Sequence, residues 1–328
     1  MSAETLPGGS VGGHRPPLQK IVLGSRGSEL ARAQTAMVVK ALQHAWPEIE
    51  VRIEIVKTHG DERSLKTTEP IDPRAGRKGL FTREIERVLA AGGIDIAVHS
   101  AKDLPSDRTP GLELRGALPR AAVEDVLIRK TAGGLAALAA NAVVATGSVR
   151  RQHQLRWKRP GLQVVDLRGN VPTRLRKLVA SDWEAIVLAR AGVERLDYDL
   201  SLGSFVFEEA PLQAEILSSE DFLPAGGQGV IALQVRSSDE QAQKLVDRVN
   251  HPETFLCLQA EREFLRLLQG DCDSPVGVLA VIEATTMKLS AQVFEAGRST
   301  PRIGVVEGLV KIGPERLAAE LMDRINGL

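Results

Sequence analysis

Cys272 sits in the stretch GDCDSPVG, where Gly270, Asp271, Asp273, Ser274 and Pro275 crowd around it. These are turn-forming residues, so the thiol is expected in an exposed turn rather than on a buried face. Such a thiol can serve as a nucleophile or a covalent attachment point; the plain alternative is an incidental loop cysteine. The other cysteine, Cys257, lies in the apolar run TFLCLQ and reads as a small core residue. A second reactive group is His99, Ser100, Lys102 and Asp103, which follow an apolar run at 94–98. A carboxylate beside an ammonium has its charged form favoured. The plain alternative there is a loop salt bridge or a helix cap, and His99 alone reads as a structural hydrogen-bonding residue rather than a base.

The third group is basic. Arg150, Arg151, Arg156, Lys158, Arg159, Arg168, Arg174, Arg176 and Lys177 fall in one run against the single acid Asp166. Most charge runs are solvated faces. Placement argues for more in this case: Arg150 and Arg151 follow ATGS at a helix start, and Arg168 follows the apolar VVDL. Arg26 and Ser28 hold the equivalent place after the first strand. Open α/β sheets bind ligands at the carboxyl ends of their strands, where helix N-termini add anion-binding donors. Several arginine forks converging there suit a ligand with several carboxylates or phosphates, each charge-assisted bond contributing roughly 1.5–3 kcal/mol. Lys78 precedes a helix start beside TTEPIDPRAG, which reads as a mobile lid or a plain surface loop.

These groups need a scaffold. The segment from Lys20 reads strand, turn, helix, strand, with Ser28 as N-cap, which is a βαβ unit. The stretch from Thr82 reads as a helix opened by that threonine, then a strand at 94–98. NAVVATGSVRRQHQL and GLQVVDLRGNVPTRLRKL repeat strand, turn, helix, with Asn170 as N-cap and Pro172 in the first turn. TREIERVLAAGGIDIAV and TRLRKLVASDWEAIVL share a pattern, so two similar α/β domains in tandem are expected. LPAGGQGV lacks the glycine spacing of a nucleotide loop and reads as a crossing turn between them. Beyond about residue 250 a helix, three strands and a closing helix form a smaller third domain, with Cys272 between its first helix and first strand. The expected division is a disordered tail at 1–18, a first domain at 19–119 with 228–248, a second at 120–227 and a third at 250–328.

Composition narrows the function. Lys+Arg and Asp+Glu balance at 42 each and aromatics are 3%, which disfavours a nucleic-acid reader. Two cysteines make no disulfide framework, and no Cys/His cluster has zinc spacing, so no metal is expected. The N-terminus has no apolar signal-peptide core and no run approaches a membrane span, so a cytoplasmic, reduced setting is expected. Nothing in the composition demands more than a monomer.

Taken together, GSRGSELARAQ, KGLFTREIE, DIAVHSAKDLP, GSVRRQHQL, LRGNVPTRLRKL, LARAGVERL, LPAGGQGV and GDCDSPVG, in this order, resemble the hydroxymethylbilane synthase (porphobilinogen deaminase) family. The resemblance implies an α/β fold of two type II periplasmic-binding-protein-like lobes with a smaller α/β C-terminal domain. It implies a dipyrromethane cofactor held by a thioether to Cys272. The implied reaction is a head-to-tail condensation of four porphobilinogen molecules with loss of ammonia at each step, then hydrolysis to hydroxymethylbilane. Asp103 would be the catalytic carboxylate. Arg26, Arg150, Arg151, Arg168, Arg174 and Arg195 would bind acetate and propionate arms, and Ser28, Lys78, Lys102 and Ser148 match other cleft positions. Of these, Lys102, Asp103, Ser148, Arg150, Arg151 and Arg168 are assigned to the cofactor, and Arg26, Ser28, Lys78, Arg174 and Arg195 to substrate.

The chain departs from the family pattern in three places. Gly147 and Ser148 stand where two hydroxyl residues are usual, which would cost one cofactor contact. Asp271 and Asp273 flank the cysteine and would disfavour its thiolate. LPRAAVEDVLI matches the family's Arg-Asp segment loosely, leaving Arg120 open as a cleft residue. The rival reading is a two-lobed anion-binding module without catalysis, which would need neither Cys272 nor Asp103.

Overall fold

The computed structural model describes residues 20–56, 79–269, 275–295 and 297–328. The segment at 1–18, Lys78 with the TTEPIDPRAG stretch before it, and Cys272 with its two flanking aspartates lie outside the described residues.

Three sheets organise the described residues. The first has the order β2-β1-β3-β11-β4. It is built from β1 (Lys20–Ser25), β2 (Glu50–Ile55), β3 (Ile96–Ser100), β4 (Leu112–Ala117) and β11 (Ile231–Arg236). β1 runs parallel to β2 and β3, as the βαβ reading requires, while β11 is antiparallel to β3 and β4. The second sheet has the order β7-β6-β8-β5-β10-β9. Its strands are β5 (Asp125–Arg129), β6 (Val143–Ala145), β7 (Gln163–Val165), β8 (Ala185–Ala189), β9 (Ser204–Phe207) and β10 (Ala210–Leu217). β6 is parallel to β7 and β8, and β5 is antiparallel to β8.

Each lobe therefore repeats one plan, in which a strand pairs with its successor on one side and the next strand on the other, and an antiparallel return strand closes the set. The return strands are exchanged. β5 enters the second lobe straight from the first, and β11 comes back to the first after the second is complete. Two crossings, at 118–124 and 218–230, join the lobes. This is the expected two-lobed α/β class.

The helices are α1 (Glu29–Ala45), α2 (Gly79–Ala90), α3 (Val149–Lys158), α4 (Val171–Ala180), α5 (Arg190–Glu194), α6 (Glu240–Val249), α7 (Pro252–Leu267) and α8 (Pro314–Asn326). Ser28 and Asn170 accept from the backbone N–H groups of Ala31 and Thr173, as N-caps do. Two local expectations shift. α2 starts at Gly79, three residues before Thr82, whose side chain is buried instead of capping. The strand after it is Ile96–Ser100, because Asp95 gives its carboxylate to the Val22 N–H at 2.9 Å and so ends the ladder.

The third sheet is an antiparallel meander of β12 (Val276–Glu283), β13 (Thr286–Val293) and β14 (Arg302–Leu309), covered by α7 and α8. Cys257 is buried in this core, and burial, with Glu261 nearby, pushes its thiol up to about 12. It is an inert core residue, as its apolar run predicts. Among the described residues, no helix is long and apolar enough to cross a membrane.

Candidate active site

The residues singled out after β1, β3, β6 and β7 all stand at the carboxyl ends of parallel strands, and the two lobes turn those ends toward each other. A Cβ at Gly192 of α5 would come within 3.7 Å of Leu30 of α1, and Arg195 donates to the Gly229 carbonyl of the crossing at 2.7 Å.

On the first lobe, Arg26, Ser28, Gln34, Thr82, His99, Ser100 and Asp103 line a cavity of about 70 Å³. Asp103 closes a short 3-10 turn, Ala101–Asp103, at the end of β3. The crossing packs against that turn so tightly that a side chain is excluded: a Cβ at Gly227 would lie 3.0 Å from the Lys102 backbone nitrogen, and φ is +75°. The turn that ends in Asp103 is thus seated on the crossing at 218–230.

His99 is buried, and its Nε2 lies 3.0 Å from Gln234 Oε1. Gln234 Nε2 donates to Glu86 at 2.8 Å, and Thr109 donates to the other Glu86 oxygen at 3.0 Å. Glu86 orients the amide and so makes Nε2 the protonated nitrogen of His99. Burial pushes His99 down to about 4, against the opposing pull of Glu86 and the Gln234 bond. It is a neutral structural residue at neutral pH, as its sequence context suggests. The unfolded chain binds this proton near pH 6.5 and the folded chain only near 4. Stability contributed by neutral His99 is therefore intact above about pH 6.5 and falls as pH drops toward 4, by roughly 3 kcal/mol in total. Urea unfolding across that range should show this slope in wild type and a flatter one in His99→Gln; equal slopes would refute it.

On the second lobe the basic run divides by function. Arg159 donates to the carbonyls of Leu135 and Leu138, Lys158 pairs with Asp221, and Arg176 pairs with Glu208 on the surface. These residues brace the lobe. Arg168, half-exposed, is oriented by Asp166 at 2.7 Å. Arg174 donates to the Gly169 carbonyl at 2.7 Å, and burial, then the Arg151 charge, pull it down to about 10; Asp103 and Asp166 oppose this. Burial also pulls Arg195 down to about 10. Both remain cationic at neutral pH, and neither forms an ion pair among the described residues. An incoming carboxylate could pair with either half-buried guanidinium.

Arg150 and Arg151 are more deeply committed than the sequence suggests. Both donate to Asp125 at 2.8 Å, one to each carboxylate oxygen. Burial alone would raise the Asp125 carboxyl, but the two guanidiniums hold it well below the usual carboxylate range. Two cations on one carboxylate leave a net positive charge inside the protein. The Nε atoms of Arg150, Arg151 and Arg195 are buried with no partner among the described residues. Ser148 stands at the α3 N-cap position without capping it. Gly147 has a physical reason: a Cβ there would lie 2.4 Å from the Leu167 carbonyl oxygen, so no hydroxyl side chain fits.

Arg120 belongs to the framework. It forms a two-pronged pair with Glu261 of α7, at 2.6 and 3.2 Å. Asp125, Gln228 and Glu261 are not singled out by the sequence. Their partners lie up to 141 positions away, and no local pattern announces them.

Residues 21–244 match the family model "Porphobilinogen deaminase, dipyromethane cofactor binding domain", and residues 255–325 match "Porphobilinogen deaminase, C-terminal domain". The chain belongs to the porphobilinogen deaminase family. It is 43% identical over 274 residues to the porphobilinogen deaminase of Moorella thermoacetica, covering 84% of this chain and 83% of that one. It is 35% identical over 322 residues to that of Chlorobium limicola, covering 92% of this chain and 98% of the relative. Among solved structures, the periplasmic VFT2 domain of Bordetella pertussis BvgS overlaps 71% of this chain and 86% of its own at 16% identity, with a TM-score of 0.41. That overlap is loose, and the assignment rests on the family models and the curated relatives.

Family membership brings the dipyrromethane cofactor with it, and the second-lobe wall fits such a group. A dipyrromethane carries several carboxylates, and this wall offers buried guanidinium N–H donors without partners and a positive charge that Asp125 only half offsets.

Proposed function

We propose that this chain is a hydroxymethylbilane synthase of the transferase class. It would join four porphobilinogen units head to tail, release one ammonia per unit and free the linear tetrapyrrole by hydrolysis. The observation that carries this reading is the charge arrangement of the cleft: Asp103 lines the first-lobe cavity with Arg26 and Ser28, and Arg174 of the second lobe feels the charge of both Arg151 and Asp103. Each pyrrole ring of substrate and product carries two carboxylates, so a growing chain is a polyanion and needs many guanidinium forks.

The cofactor, when bound through Cys272, supplies the pyrrole end to which new units are added. This chain's residues do the rest. Arg150, Arg151 and Arg168, with Ser148 and Lys102, would hold its carboxylates. Arg26, Ser28, Lys78, Arg174 and Arg195 hold the arms of the incoming porphobilinogen. Asp103 sits where positive charge develops as the aminomethyl C–N bond breaks and ammonia leaves, and its carboxylate stabilises that cationic centre. The same oxygens accept hydrogen bonds from pyrrole N–H groups and can take the proton that the attacked pyrrole carbon must lose. The three domains are 19–119 with 228–248, 120–227 and 250–328, and the protein acts as a cytoplasmic monomer.

Intact mass decides whether the cofactor is held covalently. Protein made in a host that synthesises porphobilinogen should carry the mass of two linked pyrroles. The adduct should vanish in Cys272→Ala. A wild-type mass equal to the bare chain would favour the two-lobed anion-binding module instead.

A further inference from the structure

We infer that Arg150 is a positioning residue: it ties the cleft arginines to β12, the strand that follows Cys272 in the chain. This rests on the reading of Cys272 as the cofactor anchor. The Arg150 side chain is only 3% exposed. Its Nη1 lies 2.8 Å from each of three acceptors, Asp125 Oδ2, Gln154 Oε1 and the Leu223 carbonyl, and shares its two hydrogens among them. Gln154, one turn further along α3, donates to the same Leu223 carbonyl and to Gln292 Oε1 of β13, both at 2.9 Å. The Gln292 amide in turn reaches the Asp221 carbonyl at 3.3 Å.

The clamped segment at 221–224 is the seat of β12. Val278 N–H donates to the Pro224 carbonyl at 2.9 Å. Gly277 approaches so closely that a Cβ would lie 2.7 Å from the Leu223 oxygen. β12 begins at Val276, four positions after Cys272.

The two oxygens of Asp125 divide the labour. Oδ2 holds Arg150, which faces the third domain's seat. Oδ1 holds Arg151, whose charge acts on Arg174 in the cleft, and also accepts from Gln228 at 2.8 Å. A continuous path therefore runs Arg151–Asp125–Arg150–Leu223–Pro224–Val278. Buried, charge-assisted networks of this kind rigidify what they connect. The path sets how far the anchored cofactor lies from the guanidiniums that bind its carboxylates.

The test follows hydrogen exchange in the full-length protein, together with the rate at which cofactor-free protein gains the dipyrromethane mass when given porphobilinogen. In Arg150→Gln, peptides covering 220–224 and 276–280 should exchange about tenfold faster or more, and mass gain should slow by a similar factor. Arg150→Lys keeps a cation between Asp125 and the Leu223 carbonyl and should restore much of both. Arg151→Gln should slow mass gain while leaving exchange in those peptides as in wild type. Gln154→Ala leaves the buried charges intact and should reproduce the exchange change in part, so it serves if Arg150→Gln does not fold. Unchanged exchange at 220–224 and 276–280 in both Arg150→Gln and Gln154→Ala would overturn the inference, as would an equal change in Arg151→Gln. A wild-type protein that never gains the mass overturns the anchor reading instead, and the exchange pattern still reports on the strut.

Discussion

Replacing Asp103 by asparagine is expected to lower turnover by about 10²–10³-fold while leaving the cofactor adduct in place. The side chain keeps its shape, so the turn at the end of β3 and its seat against Gly227 should persist. The negative charge is what disappears. That charge is felt by Arg174 across the cleft and by His99 beneath it, which places it at the junction of the two walls. A neutral amide there cannot offset the positive centre formed as ammonia departs, and it is a poor acceptor for the proton released afterwards. Intact mass would check the adduct and product formation the turnover. Near-normal turnover would move the catalytic carboxylate elsewhere; a missing adduct would give Asp103 a role in assembly.

Glu261→Ala should have the largest effect on stability. This carboxylate is fully buried. It accepts from Arg120 on both oxygens, from the Gly227 N–H at 2.6 Å and from the Ala280 N–H at 2.8 Å. One side chain of α7 thus joins both crossings between the lobes to the third sheet. Removing it leaves a nearly buried guanidinium and two backbone donors without their acceptor. Breaking such a pair costs about 3–5 kcal/mol, and the midpoint of thermal unfolding should fall on the order of 10 °C. Glu261→Gln should lie between, since an amide keeps one acceptor but turns a second donor toward the N–H groups. A Glu261→Ala midpoint within about 2 °C of wild type would show that the crossings do not depend on this residue.

Much of the scaffold was legible because its signals are local. Ser28 and Asn170 announce their helices through capping chemistry, and the apolar run around Cys257 announces a core. The start of α2 was misplaced because a threonine resembles an N-cap; burial of Thr82 against the cavity let the helix begin earlier. The basic run from Arg150 to Lys177 was readable as a candidate site, but not as a mixture. Arg176 and Arg174 are two positions apart, yet one pairs with Glu208 in solvent and the other is half-buried and feels the charge of Asp103. On a helix, residues two apart do not share a face, and which face meets the cleft depends on packing.

The sequence by itself determined the family, the strand-end placement of Arg26, Asp103, Ser148 and Arg168, and the core role of Cys257. These follow from ordered motifs and from periods of two and 3.6 residues, which act over a few positions. Only the tertiary structure decided that Arg150 and Arg151 share Asp125, that Arg120 reaches Glu261, and that Gly147 must lack a side chain. Those facts depend on where β5, β7 and α7 return in space. The free energy of a buried charge or a crowded carbonyl is set by the segments that close around it, and those segments are distant in the chain.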